Sequence, residues 1–392
     1  MHNSLKTPGF KNMLPALTGI FLALLVTCQQ EAEKTDGPIE VTTDLSEAVS
    51  LFDSEVIESV SIIELEPVGG SVIHSIEQGS LVFYKGNIFL LDFNPDETVL
   101  RFDKNGTFKN RYGNIGKGPG EFPRVVNFFV DQGKKQIELL VSPGKIMKYT
   151  FEGKLIEEMK IPDEVFATSF AKNNEGDYLF YASLPDKNII YFVSGQGEYI
   201  GEIFTSRTNI TPTMERNFSE VSGGNLYLRE IFNDTVYLAS GNEIIPAYKF
   251  DFKEYNIPSQ YYTDPPPPQE IISLYKDHAT LFNFFCNEDF MIASVRKDEE
   301  TTPAFYSVIK NRNTGEKKII KMPTSEEFLA GSFSRSRFLT AENEIVLILQ
   351  PEDIQERSEW FEQHPLFADV INEISQADEN FNLKFVLARL SK

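Results

Sequence analysis

The stretch GNIFLLDFNPDETVLRFDKNG, residues Gly86–Gly106, contains two strand-like runs, IFLLD and TVLRFD, followed by a glycine turn. The same order returns three times, and the later copies end near Gly153, Gly197 and Gly241. Successive turn glycines are therefore 47, 44 and 44 residues apart. A repeat of about 40–50 residues with several short strands is typical of a β-propeller, in which each repeat forms one blade.

Two less regular repeats follow the four clean ones. Blade five contains DFMIASV and AFYSVIKNRNTG and ends at Gly315, and blade six contains NEIVLILQ at Asn343–Gln350 and NLKFVLARL at Asn382–Leu390. Between the two runs of blade six, residues 352–377 carry apolar side chains near helical spacing. The sequence therefore predicts an all-β fold, a six-bladed β-propeller over residues 54–392, with a small helical insertion in the last blade.

Two further segments have predicted structural roles. Ile57–Glu66 reads as a strand that precedes the first full repeat, and we expect it to pair into the last blade and remove the open edge of the ring. Pro265–Pro268 cannot join a ladder of hydrogen bonds, so this run is expected to be a stiff connector on the surface. A short helix is expected directly after it, at residues 269–276.

The N-terminus has the pattern of an export signal. Lys6 and Lys11 precede an apolar run of 13 residues, Leu14–Val26. This run is shorter than the roughly 20 residues that span a bilayer, and it suits the apolar core of a signal peptide. We therefore assign residues 1–27 to a signal peptide.

The signal segment ends in LVTC, with Cys28 last, and this resembles the lipobox of bacterial lipoproteins, whose cysteine is lipidated after cleavage. Thr27 departs from the usual small residue before the cysteine, so an ordinary secretory signal is the alternative. Residues 28–53 begin with a polar, acidic run and are expected to be a flexible tether. The other cysteine, Cys286, lies in an apolar run and is expected to be a buried, inert thiol.

The charge of the chain narrows the classes of partner. The formal net charge is −21 over 392 residues. Such an acidic surface repels nucleic-acid backbones, so nucleic-acid binding is not expected. The remaining candidates are a glycan, a peptide or a partner protein, bound by a chain that we expect to be a monomer.

The sharpest local motif is the loop GNIGKGPGEFP at Gly113–Pro123. Alternating glycines permit positive φ, and no helix or Lys-Ser pair follows that would make a phosphate loop. A structural clasp is the favoured interpretation, and its residues are Gly116, Gly118, Pro119, Gly120, Glu121 and Phe122. The loop leads into an inner strand, so Lys117 and Arg124 are predicted to lie at the mouth of the central channel and to contact a ligand there.

These residues belong to a longer run that has a recognisable family pattern. The segment VLRFDKNGTFKNRYGNIGKGPGEFPRVVNFFVD at Val99–Asp131 resembles the six-bladed β-propeller lipoproteins of Gram-negative gut anaerobes, which are related in pattern to NHL-repeat propellers. The resemblance implies a propeller on a lipid anchor in the cell envelope, attached to the inner or outer membrane. It implies no catalytic residue.

Patterns for catalysis are weak in this chain. The histidines show no metal-ligand spacing, and no nucleophile elbow occurs. We therefore expect a binding or scaffold module without catalytic residues, cofactor or metal. The alternative is a metal-dependent hydrolase or lyase with Ca²⁺ held in the central channel by carboxylates such as Asp131, Asp177, Asp234 and Asp251.

The anchor can be tested directly. Replacing the lipidated cysteine, Cys28→Ala, is expected to abolish acyl labelling in cells and to move the protein from the membrane fraction to the soluble fraction, because one sulfur carries the lipid. Labelling with a fatty-acid analogue and fractionation measure both effects, and Cys286→Ala is the matched control. Membrane association that survives Cys28→Ala would contradict the lipoprotein prediction.

Overall fold

Six sheets follow one another along the chain and form the blades of a β-propeller. The structure is a computed structural model, and it describes residues 37–51, 55–69, 73, 76, 81–92, 98–184, 187–204, 217–220, 225–230, 232–262, 267–300, 302–323, 338–349, 365–366 and 383–391. The predicted signal peptide, Cys28 and the start of the predicted tether lie outside these residues. The six-bladed, all-β prediction is confirmed.

The described strands are numbered in chain order. They are β1 (Ile39–Thr42), β2 (Val49–Ser50), β3 (Ile57–Glu64), β4 (Leu81–Tyr84), β5 (Asn87–Asp92), β6 (Thr98–Asp103), β7 (Phe108–Tyr112), β8 (Asn114–Ile115), β9 (Glu121–Phe122), β10 (Arg124–Asp131), β11 (Gln136–Ser142), β12 (Lys145–Thr150), β13 (Leu155–Lys160), β14 (Ser169–Lys172), β15 (Tyr178–Leu184), β16 (Lys187–Val193), β17 (Tyr199–Phe204), β18 (Phe218–Glu220), β19 (Leu226–Arg229), β20 (Thr235–Ser240), β21 (Glu243–Asp251), β22 (Thr280–Cys286), β23 (Phe290–Arg296), β24 (Phe305–Asn311), β25 (Lys317–Lys321), β26 (Phe338–Leu339), β27 (Glu344–Leu349) and β28 (Lys384–Leu390).

Each blade is an antiparallel meander whose first strand lines the centre of the ring. In order from the centre outward, the blades are β4–β7, β10–β13, β14–β17, β18–β21, β22–β25, and finally β26, β27, β28 and β3. Helical structure in the described residues is limited to α1 (Pro268–Asp277), three single-turn 3₁₀ segments at Leu45–Glu47, Lys253–Tyr255 and Ser259–Tyr262, and the pair Pro365–Leu366.

The ring is closed by a strand from the N-terminal side of the chain. β3 pairs antiparallel with β28, from Ile57 opposite Leu390 to Glu64 opposite Lys384. The ammonium group of Lys384 also donates to the Glu64 carboxylate at the end of this ladder. The prediction that Ile57–Glu66 completes the last blade is therefore confirmed over β3.

The prediction of a flexible tether up to residue 53 is wrong for part of its range. β1 pairs in parallel with β21, the outer strand of blade four, and β2 pairs in parallel with β25, the outer strand of blade five. Val41 is buried in the core between these two blades. The segment forms strands because the outer edges of the blades supply the hydrogen-bond partners that a short polar segment lacks by itself.

The hydrophobic core is divided among the interfaces between blades. Successive residues of β5 alternate between two of these interfaces, because side chains alternate across a strand. Ile88 and Leu90 pack towards blade six, whereas Phe89 and Leu91 pack towards blade two. Both faces of a blade are buried in this way, which explains why its inner strands read as nearly continuous apolar runs.

The recurring turn glycines have two structural roles. Gly106, Gly153 and Gly197 have φ values of +82°, +85° and +89°, which only glycine adopts easily. They also lie against the preceding blade: a Cβ on Gly106 would be 1.8 Å from the carbonyl oxygen of Glu64, and one on Gly197 would be 3.1 Å from that of Lys160. The period seen in the sequence therefore marks contacts between blades as well as turns.

The described residues include part of the proline run and part of the insertion predicted in the last blade. Pro267 is extended, with φ −60° and ψ 151°, and Pro268 is the first residue of α1, so the predicted short helix is confirmed. Of the predicted insertion at 352–377, only Pro365 and Leu366 lie within the described residues; they are helical, and Leu366 packs on the core between blades five and six.

The close approach at Gly106 gives a stability prediction. Gly176→Ala is a matched control, because Gly176 has φ +89° but nothing within 4 Å of a built Cβ. We expect the control to destabilise by about 1–2 kcal/mol from backbone strain alone, and Gly106→Ala by roughly 1–3 kcal/mol more from the clash with Glu64. Urea unfolding measures both, and equal losses would contradict the blade contact.

Candidate functional site

The centre of the ring is filled by aromatic side chains. All six inner strands contribute to its lining, and five of them contribute phenylalanine: Phe128, Phe129, Phe170, Phe218, Phe285 and Phe338. The ring centroids of Phe129 and Phe170 are 6.2 Å apart, and those of Phe285 and Phe338 are 6.3 Å apart. The cavity that remains has a volume of about 50 Å³, which is room for a few water molecules at most.

Polar side chains line part of this cavity. They are Asn127, Ser169, Asn217 and Ser219, together with Gln132. The Ser169 hydroxyl donates to the side-chain oxygen of Asn217 over 3.0 Å, and the Ser219 hydroxyl donates to the carbonyl oxygen of Phe284. Calcium favours carboxylate ligands, and the described lining offers amide and hydroxyl oxygens without a carboxylate. A Ca²⁺ ion in the channel would have to use these oxygens together with backbone carbonyl oxygens of the inner strands.

A repeated dipeptide marks these inner strands. Asn-Phe occurs at Asn127, Asn217, Asn283 and Asn380. The first three lie in the inner strands of blades two, four and five or directly before them, and Asn380 lies outside the described residues. In blades two and five the asparagine adjoins a β-bulge in the pairing of the first two strands. Asn127 and Asn217 line the cavity, so the dipeptide marks two of the residues at the centre, although its spacing along the chain is irregular.

The glycine-rich loop is closed by its own hydrogen bonds. β8 and β9 pair in parallel within it, and the amide of Gly118 donates to a carboxylate oxygen of Glu121 over 2.8 Å. The amide of Gly116 donates to the carbonyl oxygen of Phe122 over 3.0 Å. Phe122 is buried between blades one and two, and a Cβ on Gly113 would lie 2.4 Å from its ring. These contacts describe a clasp between two blades.

Lys117 and Arg124 are the two basic residues near this loop. Both are exposed, and neither lines the central cavity. A Cβ on Gly120 would lie 3.6 Å from Leu155 in β13, so this part of the loop lies against the outer strand of blade two. The loop begins at the end of β7, an outer strand, and ends at Arg124, the first residue of the inner strand β10.

The sector around the loop differs in charge from the rest of the chain. Residues 101–160, which are the outer part of blade one and all of blade two, contain twelve Lys and Arg against seven Asp and Glu, a net charge of +5. The whole chain carries −21. Because the strands of blade two are continuous in sequence and directly follow those of blade one, this charge is concentrated in one sector of the ring.

A buried network of charged side chains joins blades two and three. Glu138 is fully buried, and it accepts from the ammonium group of Lys172 over 2.9 Å and from the hydroxyl of Tyr178 over 2.5 Å. Lys172 also donates to Asp131 over 3.0 Å. Burial by itself would lower the pKa of Lys172, but the charges of Glu138 and Asp131 and their hydrogen bonds outweigh it and raise the pKa.

Other residues considered for chemistry have structural partners. Asp177 accepts from the amide of Gly195, and Asp251 accepts from the amide of Lys253, so both carboxylates hold turns. Burial raises the pKa of the Cys286 thiol to about 11, which keeps it protonated at neutral pH. Tyrosines that could stack on sugars are buried between blades instead: Tyr178, Tyr181, Tyr191 and Tyr227.

Neither a metal-binding cluster nor a membrane-spanning helix occurs among the described residues. They contain no group of three or more His, Cys, Asp or Glu side chains placed to hold a metal ion. Within the same parts of the chain, no helix is long and apolar enough to cross a bilayer.

Comparisons with known proteins identify a family and confirm the fold. A family model described as a domain of unknown function, DUF4934, matches residues 38–389. The crystal structure of a Bacteroides fragilis protein, described by inference as exported, is similar to the structure of this chain, with a TM-score of 0.72. The two sequences are 17% identical, and the match covers 90% of this chain and 99% of that one. A DUF4221 member from Bacteroides vulgatus has a TM-score of 0.49, at 12% identity over 86% and 97% of the two chains. No curated protein sequence matches.

The buried network gives a second stability prediction. Lys172→Met removes the ammonium group but leaves the Glu138 carboxylate buried, and this is expected to destabilise the protein by about 3–5 kcal/mol. Adding Glu138→Gln should recover part of the loss. The control is Lys160→Met, whose pair with Asp163 is exposed and is expected to contribute at most about 1 kcal/mol. Chemical unfolding measures all three, and a loss in Lys172→Met no larger than in the control would contradict this account.

Proposed function

The chain belongs to the DUF4934 family, and we propose that it is an envelope protein, lipid-anchored through Cys28, that binds a partner on the outside of its propeller. The observation that carries this proposal is the phenylalanine-filled centre, which leaves a cavity of only about 50 Å³. A glycan or peptide does not fit there, because ligand pockets are about 300–1,000 Å³. Binding therefore falls to the faces and the rim of the ring.

The export signal supports the location. LVTC at the end of the apolar run resembles a lipobox, and the exported description of the Bacteroides fragilis protein agrees with a site outside the cytoplasm. The lipid would hold the ring at a membrane of the Gram-negative envelope, where glycans, peptides and other envelope proteins are within reach.

The charge distribution supports an anionic ligand. Lys117 and Arg124 are exposed beside a loop that its own hydrogen bonds hold closed, within the sector of net charge +5. A guanidinium group can donate two parallel, charge-assisted hydrogen bonds to a carboxylate. We therefore assign these two side chains to the contact with an acidic group, such as the uronate of a glycan or a carboxylate of a peptide.

This assignment can be tested with a defined polyanion. Binding to immobilised polygalacturonate is expected to weaken about tenfold in Lys117→Ala/Arg124→Ala, since charge-assisted hydrogen bonds are lost. Neutral dextran should show no binding. Surface plasmon resonance measures affinity, and a thermal melt checks folding.

The control variant is Lys134→Ala/Lys135→Ala, which removes the same charge from the hairpin at the other end of β10. Equal weakening in both variants would mean that only the overall charge matters, and unchanged binding in the first would rule out this site.

A further inference from the structure

The outer edges of two blades already bind an additional strand. β1 lies in parallel on β21 of blade four, and β2 lies in parallel on β25 of blade five. The ladder beside β21 extends beyond β1, because the amide of Thr43 donates to the carbonyl oxygen of Asp251 over 2.7 Å. An extended segment is therefore a structural partner that the rim of this ring accepts.

Side chains in the β1 ladder match those opposite them. Val41 lies opposite Phe250, and Glu40 lies opposite Lys249, so an apolar residue meets an apolar residue and an acid meets a base. Cross-strand pairs of these kinds stabilise a sheet, whereas like charges directly opposite one another destabilise it. The rim therefore selects a segment by the residues of its outer strand.

Blade three presents the same kind of edge without an additional strand among the described residues. Its outer strand, β17, reads YIGEIF and is the last strand of its sheet in this part of the chain. Tyr199 and Ile200 are 40% and 43% exposed. Glu202 is also exposed, and it accepts from the Tyr199 hydroxyl over 3.1 Å. An apolar, lightly charged edge favours pairing with another chain.

The outer strand of blade two, β13, also exposes apolar side chains, Leu155 and Ile156, but it differs from β17 in its charges. In β13 the acidic residues Glu157 and Glu158 form ion pairs with Lys148 and Lys145 of the adjacent strand. Charged side chains on an edge strand are a common protection against pairing with other chains. The contrast indicates that β17 is the edge suited to a partner.

We propose that β17 binds an extended segment of a partner protein as a parallel fifth strand of blade three, in the manner of β1 on blade four. In such a pairing, a basic residue of the partner would lie opposite Glu202, and an apolar residue would lie opposite Ile203. The partner segment is thus a Lys or Arg flanked by β-branched apolar residues, a charge-reversed form of Ile39-Glu40-Val41. This mode of recognition is β-strand addition, and it does not depend on Lys117 or Arg124.

Two peptides taken from the chain itself provide matched probes. One is residues 38–43, Pro-Ile-Glu-Val-Thr-Thr, and the other is the same peptide with Glu40→Lys. Fluorescence anisotropy of the labelled peptides, titrated with the purified protein, should show the lysine peptide binding about fivefold more tightly, as expected for one favourable cross-strand charge pair. Amide hydrogen exchange should show protection in residues 199–204 when the lysine peptide is bound.

A charge swap in the protein separates this proposal from general attraction to an acidic surface. Glu202→Lys should reverse the preference, so that the glutamate peptide binds more tightly. Ile245→Lys is the control, since this exposed residue of β21 lies outside the stretch that pairs with β1, and it should leave the preference unchanged.

A thermal melt confirms that each variant is folded, and Glu202→Gln, which should only abolish the preference, is the milder substitute if the swap unfolds the protein. The proposal is overturned if the two peptides bind the unaltered protein equally, if the preference is the same in Glu202→Lys or Glu202→Gln, or if protection appears away from β17.

Discussion

A ring of sheets is stable only if its first and last sheets are joined, and here one strand makes that joint. β3 completes blade six from the N-terminal side, so the two ends of the propeller share one sheet. Six of the seven hydrophobic clusters among the described residues lie between two blades, and the seventh lies under α1. The core between blades five and six includes residues of β3 and β28. Without this pairing, blade six would lose its outer strand and the ring would expose an open edge.

Hydrogen bonds between neighbouring blades supplement this apolar packing, and they depend on orientation. Arg101 of blade one donates to the carbonyl oxygen of Phe151 in blade two over 2.7 Å, and Asn287 of blade five donates to that of Thr340 in blade six over 2.8 Å. Lys172 and Glu138 do the same for blades two and three. Apolar surfaces can slide past one another, whereas a buried hydrogen bond is lost by a small shift. These contacts therefore set the angle between neighbouring blades.

Closing the centre with phenylalanine leaves little room for a ligand there. The aromatic side chains of five inner strands fill the space that wider channels leave for ligands. What remains exposed is a rim whose composition changes around the ring: a basic sector over blade two, an apolar edge on blade three, and occupied edges on blades four and five. Different sectors of one ring can in this way meet different partners.

The repeat, the number of blades and the closing strand were predictable from the sequence, because each rests on local requirements. Gly106, Gly153 and Gly197 recur because a turn with positive φ needs glycine wherever it occurs. The clasp at Gly113–Pro123 was recognisable for the same reason, since its alternating glycines leave little space for side chains.

Only the tertiary structure decided where these elements lie relative to one another. Part of the loop that carries Lys117 lies against the outer strand of blade two, and no local pattern records that contact. Ile39–Thr42 is too short and polar to indicate a strand until the edge of blade four supplies its hydrogen bonds. Lys172 and Glu138 are 34 residues apart in sequence. A phenylalanine that fills the centre and one that packs between blades both lie in similar apolar runs, so the sequence does not distinguish them. Long-range pairing depends on the assembled ring, so it becomes visible only when the ring has formed.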